Sequence, residues 1–279
     1  MIKETRSRTT VLVARVALLA LVVSACGGAA APVVVATASA TPASTVVATA
    51  TPRPLSGKIT IFAAASLTDS FNAVAAEFQK QNPGVTIAPN YAGSAALVAQ
   101  IIQGAEADVF ASADEPNMQK LVDAKLNRGD AKIFANNRLQ IVVQAGNPKR
   151  IAQLADLARP DVIVVLAAPS VPVGTYGQQA LDKAGVKVTP KSLETDVKFV
   201  VSKVSLGEAD AGIVYSTDVK AGGAKIQGVS IPDQFNVTAK YPISVVKGAK
   251  NETAAAAFID FVLSAGGREV LARFGFLLP

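Results

Sequence analysis

Beyond Gly57 the sequence alternates short β-branched or apolar runs with segments of helical period. That alternation constrains the chain more than any other feature, because it calls for a parallel-rich sheet covered by helices. "KITIFAA" reads as a strand, after which Leu67, Phe71, Val74 and Phe78 recur on one helical face. "VTIAPNYA" is a second strand, followed by a helix from Ser94 carrying Leu97, Ile101 and Ile102; "ADVFASA" and "PNMQKLVDA" complete a βαβαβα unit. A second run starts at "RLQIVVQ" and continues through "VIVVLAAP", helices over 172–184 and 196–206, and "AGIVY"; "YPISVVK" and two closing helices end the chain.

With 279 residues, half of them hydrophobic, two α/β lobes fit this pattern better than one core. The expected divisions are a first lobe over 57–136, a second over 137–236, and a return to the first over 237–279.

The N-terminal segment reads differently. Residues 1–26 hold a basic start, the apolar run "VALLALVV" and then Val23-Ser24-Ala25-Cys26, which resembles a bacterial lipobox ending at the cysteine that receives lipid. The apolar run is too short for a comfortable membrane span. Residues 27–56 are mostly Ala, Thr, Pro, Val and Ser, a composition that suits an extended tether. The expectation is a protein outside the cytoplasmic membrane, held to its outer face through Cys26.

Absences narrow the chemistry. There is no histidine, and Cys26 is the single cysteine. Ser-His-Asp and Cys-His nucleophiles, most transition-metal sites and any intramolecular disulfide are therefore excluded. The formal charge of +6 might suggest nucleic acid, yet Lys3, Arg6, Arg8 and Arg15 lie in the leader and the remaining basic residues are interspersed with acidic ones. No basic stripe or stacking aromatics point to a nucleic-acid partner. Ser244-Val-Val-Lys247 formally matches a Ser-x-x-Lys nucleophile motif, but it lies in a strand-like run and lacks the companion motifs. The chain does not read as an enzyme, and no cofactor is expected.

The strand-to-helix joins remain. In open α/β sheets, ligands bind beyond the carboxyl ends of strands, where helix N-termini offer unpaired N–H groups and partial positive charge. Ser66 stands at the first join and, with Asp69, forms a Ser-x-x-Asp pattern; it reads as a helix cap, a wall of a binding site, or both. Ser94 repeats the arrangement after Gly93. In "PSVPVGTYGQQAL", Pro172 suits a helix start and leaves the N–H of Val173 free. In "LETDVKFVV", Thr195 or Asp196 can cap, with the Val197 N–H among the first-turn orphans. Tyr215 ends "AGIVY" and reads as a phenolic donor or a core aromatic. No lysine or arginine is expected at these joins, so an anion there would be held by neutral donors.

These residues, with "ITIFAAASLTDSF", "GAEADVFASAD", "VPVGTYGQQAL", "GIVYSTD", "YPISVV" and "RFGF" in order, resemble the periplasmic molybdate-binding proteins of molybdate ABC importers. The resemblance covers residues 57–279. It implies a type II periplasmic-binding-protein fold: two lobes, each a mixed, mostly parallel sheet flanked by helices, with a hinge between them. It also implies a monomer whose ligand is molybdate or tungstate, delivered to the membrane subunits of an ABC importer. The implied contacts are hydroxyl and backbone N–H of Ser66 and Ser94, backbone N–H of Val173 and Val197, and the phenol of Tyr215. The molybdenum would be reached only through its oxygens, with no direct metal ligand. The alternative is another tetrahedral oxyanion, sulfate or phosphate.

Overall fold

The computed structural model describes residues 54–279; the lipobox, Cys26 and nearly all of the expected tether lie outside them. Among the described residues, no helix is long and apolar enough to cross a membrane.

The first strand, β1 (Gly57–Ala64), sits inside a five-stranded sheet and shows why its sequence is apolar at consecutive positions. Successive side chains point to opposite faces, and both faces are covered. Ile59, Ile61 and Ala63 join the core beneath α1 (Thr68–Gln81) and α7 (Glu252–Leu263), while Phe62 packs with Leu97, Phe110, Met118 and Leu121 under α2 (Ser94–Ile102) and α3 (Glu115–Asp123). Phe71 and Phe78 of α1 meet Phe258 of α7 with ring centroids 6.0 and 5.5 Å apart, edge to face, a packing that aromatic quadrupoles favour.

In this sheet the order is β2-β1-β3-β10-β4, with β2 (Val85–Ala92), β3 (Val109–Ala111), β4 (Asn127–Asn137) and β10 (Ala239–Val246). β2 and β3 run parallel to β1, and β10 runs antiparallel to both β3 and β4. The second lobe is built from two smaller sheets. β5 (Leu139–Gln144) lies antiparallel between β8 (Ala211–Tyr215) and β9 (Ile226–Ser230). β6 (Val165–Ala167) pairs parallel with β7 (Ser192–Glu194), and a parallel bridge between Val164 and Ala211 ties that pair to β8. The five-stranded sheet thus holds two parallel and two antiparallel pairings, and the second half of the chain a three-stranded antiparallel sheet beside a two-stranded parallel pair, so the sheets are mixed rather than mostly parallel as expected.

Helices α4 (Pro172–Lys183), α5 (Val197–Ser205) and α6 (Ser216–Gly222) accompany the second sheet, and α8 (Ala265–Arg273) closes the chain on the first. The chain crosses between the five-stranded sheet and the second lobe twice. One crossing is the single residue Arg138 between β4 and β5; the other is the segment 231–238 between β9 and β10. The Ser244-x-x-Lys247 motif lies on β10 and its end, where the buried Ser244 donates to the carbonyl of Val245.

Candidate functional site

The carboxyl ends of β1, β2, β3 and β8 and the starts of α2, α4 and α5 surround one cavity of about 200 Å³, counting its open mouth. Ser66, Ser94, Val173, Val197 and Tyr215 all line it. Its enclosed part is narrow, with room for a small guest only.

Each wall is shaped by local chemistry. Pro172 opens α4 at a position where its missing N–H has no intrahelical role, and Val173 follows with a first-turn N–H that the helix cannot satisfy. Gly174 lets the helix start close to the end of β6, since a Cβ there would overlap the carbonyl oxygens of Ala168 and Ala167. Asp196 caps α5, its Oδ1 accepting from the N–H of Lys198 at 2.8 Å and of Phe199 at 3.2 Å. That cap leaves the Val197 N–H as an orphan at the cavity wall.

The two serines behave differently from the capping pattern. Ser66 lies in a 3-10 turn, Ala65–Leu67, ahead of α1, and the N-cap of α1 is Leu67 with no side-chain bond. The Ser66 hydroxyl instead bonds the phenol of Tyr241 at 3.1 Å. Ser94 is the first residue of α2 rather than its cap, and its Oγ accepts the backbone N–H of Ala113 at 3.0 Å. Both hydroxyls are therefore taken up by tertiary partners, a relationship no local motif encodes.

Tyr215 ends β8 almost wholly buried, 1% exposed, and its hydroxyl has no hydrogen-bond partner among the described residues. Burial, with lesser contributions from nearby Tyr241 and Tyr176, holds this phenol well above its ordinary range, so it carries its proton at any physiological pH. A buried hydroxyl without a partner costs about 1–3 kcal/mol, an imbalance that a guest acceptor in the cavity would relieve.

The expectation that no lysine stands at these joins is corrected. Lys198 occupies the first turn of α5, beside Val197, and its ammonium lies 3.0 Å from Asp69 Oδ2 of α1 and 3.5 Å from Asp218 Oδ1 of α6. Desolvation pulls the Lys198 pKa down, but Asp218 and Asp69 more than offset it, leaving the ammonium above its ordinary value. Lys198 is not among the residues lining the cavity, and its charge is committed to carboxylates. Burial pushes Asp218 up to about 6 despite Lys198, and its Oδ2 accepts the Tyr215 N–H at 3.3 Å.

Between the lobes, Gly93 approaches so closely that a Cβ on it would sit 2.5 Å from the carbonyl oxygen of Thr195. Its φ of −59° is open to any residue, so this approach rather than backbone freedom is what requires glycine.

Two α/β lobes with a small, donor-lined cavity at the strand ends between them define a solute-binding protein. Residues 59–277 match the family of bacterial extracellular solute-binding proteins, and the chain belongs to that family. It is 41% identical over 221 residues to the molybdate-binding protein ModA of Mycobacterium tuberculosis, a match covering 79% of this chain and 85% of that one. Bacillus subtilis YvgL, provisionally named an ABC transporter substrate-binding lipoprotein, is 33% identical over 78% of this chain and 85% of its own. Among solved structures, the sulfate-binding protein SubI of Mycobacterium tuberculosis superposes with a TM-score of 0.70 at 25% identity, over 78% of this chain and 86% of that one.

Proposed function

We propose that this protein captures molybdate, and tungstate with it, outside the cytoplasmic membrane and delivers it to an ABC importer. The observation that carries the reading is the cavity wall itself: two serine hydroxyls, two first-turn N–H groups and the unpartnered phenol of Tyr215, all donors, around a space sized for a small ion. The likeness to ModA supports the choice of anion, and YvgL supports an importer partner and a lipid anchor at Cys26.

Binding needs no covalent change and no cofactor. Hydrogen bonds to a charged acceptor contribute about 1.5–3 kcal/mol each, so five sets of donors can offset dehydration of a dianion and leave about 8–12 kcal/mol of binding. Ser66 and Ser94 belong to the proposed first lobe, 57–136 with 237–279, and Val173, Val197 and Tyr215 to the proposed second, 137–236. One guest contacts all five only when the lobes come together, by rotation about the two crossings, and the protein acts as a monomer.

The five proposed contacts are all donors, which disfavours hydrogen phosphate, whose proton needs an acceptor. Asp196 is the one carboxylate among the lining residues, and its Oδ1 is already engaged in capping α5. Sulfate is the second reading, favoured by the likeness to SubI, because it too is fully ionised. Calorimetric titration with molybdate, tungstate, sulfate and phosphate decides: molybdate and tungstate should bind in the micromolar range or tighter and outcompete both others. Tighter binding of sulfate would transfer the assignment to sulfate.

A further inference from the structure

The orientation of the Ser66 proton can be worked out from its neighbours. Asn137 stands at the end of β4, where the chain leaves the first sheet, and it is fully buried. Its Oδ1 accepts the backbone N–H of Arg138 at 2.9 Å and the hydroxyl of Ser216 at 3.0 Å. A backbone N–H can only donate, so that end of the amide is the oxygen and the other end must donate. The Asn137 Nδ2 reaches Thr217 Oγ1 at 2.8 Å and the phenol oxygen of Tyr241 at 3.4 Å.

Tyr241, also fully buried, thus accepts from Asn137 and has one proton to give. The other partner of its oxygen is Ser66 Oγ at 3.1 Å. With Tyr241 donating to Ser66, the Ser66 proton is left for the cavity it lines. On the first lobe's other wall the same logic takes one step: Ser94 Oγ accepts the fixed N–H of Ala113, so its proton is also left for the cavity. Donors oriented before the guest arrives need no reorganisation on binding.

Resting on the oxyanion reading above, we propose that Tyr241, itself set by Asn137, is a positioning residue that fixes the Ser66 hydroxyl as a donor to the bound anion. Tyr241 does not line the cavity, so its effect on binding passes through Ser66.

The test is a double-mutant cycle on the full chain, read as molybdate affinity by calorimetry, with thermal unfolding of each ligand-free variant as the check on folding. Tyr241→Phe removes one oxygen and should weaken binding about three- to ten-fold, and Ser66→Ala about ten-fold or more. The double variant should bind no more weakly than Ser66→Ala alone. An equal loss from Tyr241→Phe in both backgrounds, or no loss in either, would overturn the relay. If Tyr241→Phe fails to fold, Asn137→Asp gives a second route. Its carboxylate accepts where the amide donated, reverses the chain of protons, and should weaken binding in a way that shrinks once Ser66 is alanine; wild-type affinity in this variant would overturn the relay. If the wild-type chain binds no oxyanion at all, the oxyanion reading itself fails, and the relay with it.

Discussion

Lys198 on α5 and Asp69 on α1 meet between the two lobes, ammonium to carboxylate at 3.0 Å, and each lies within three residues of a position lining the cavity. The pair links the helix starts that carry Val197 and follow Ser66. It is partly exposed, so its contribution is modest, about 1 kcal/mol or less. Replacing Lys198 with Met should weaken molybdate binding about two- to five-fold, with a smaller dependence on salt than in the wild type. Titrations at low and high ionic strength check this; an unchanged affinity and salt slope would show that the pair plays no part in bringing the lobes together.

Gly93 supplies a steric counterpart. Gly93→Ala places a methyl group against the Thr195 carbonyl, while the backbone conformation tolerates the change. Ligand-free stability should move by less than about 1 kcal/mol, but affinity should fall at least about ten-fold because the lobes are held apart. Calorimetry gives the affinity and small-angle scattering with molybdate gives the compaction. Wild-type values in both would contradict the close approach.

Asp218 makes stability respond to pH in a stated direction. Its folded value of about 6 lies above the ordinary 3.8 because burial disfavours the carboxylate. The folded chain therefore holds this proton more tightly than the unfolded chain. Stability from this group is full below about pH 4 and declines as pH rises through 6, by up to roughly 2–3 kcal/mol. Asp218→Asn removes the effect, so its stability relative to wild type should climb between pH 4 and 7 in chemical denaturation. A constant difference across that range would place the Asp218 pKa near its ordinary value.

Cys26→Ser tests the anchor proposed from the lipobox-like leader. The variant should appear in the medium or the soluble envelope fraction, and continued partition with membranes would exclude lipid attachment at that residue.

Much of the fold is legible in the sequence because β1, β2, β3, β5, β8 and β10 are apolar runs separated by helical periods. β4 is not, since "NRGDAKIFANN" is polar and largely exposed over its first half, and neither β7, "SLE", nor β9, "IQGVS", is an apolar run. The five cavity positions could be found because each sits at a strand-to-helix join, a place that sequence pattern marks. Their partners could not. Tyr241 lies 175 residues from Ser66, and reads as one more aromatic in a buried strand. The pairing of Lys198 was hidden for the same reason: its neighbours in sequence give no sign of Asp69, 129 residues away. The capping pattern at Ser66 misled because a 3-10 turn moves the serine out of the helix and toward Tyr241.

A crystal of the protein grown with molybdate, with the molybdenum located by its anomalous scattering, bears most directly on the proposal that neutral donors alone hold the anion. The metal should appear in the cavity, its oxygens within hydrogen-bond distance of Ser66, Ser94, Val173, Val197 and Tyr215, and Lys198 still paired with Asp69. A peak elsewhere, or Lys198 turned from its carboxylates to become the principal contact, would contradict it.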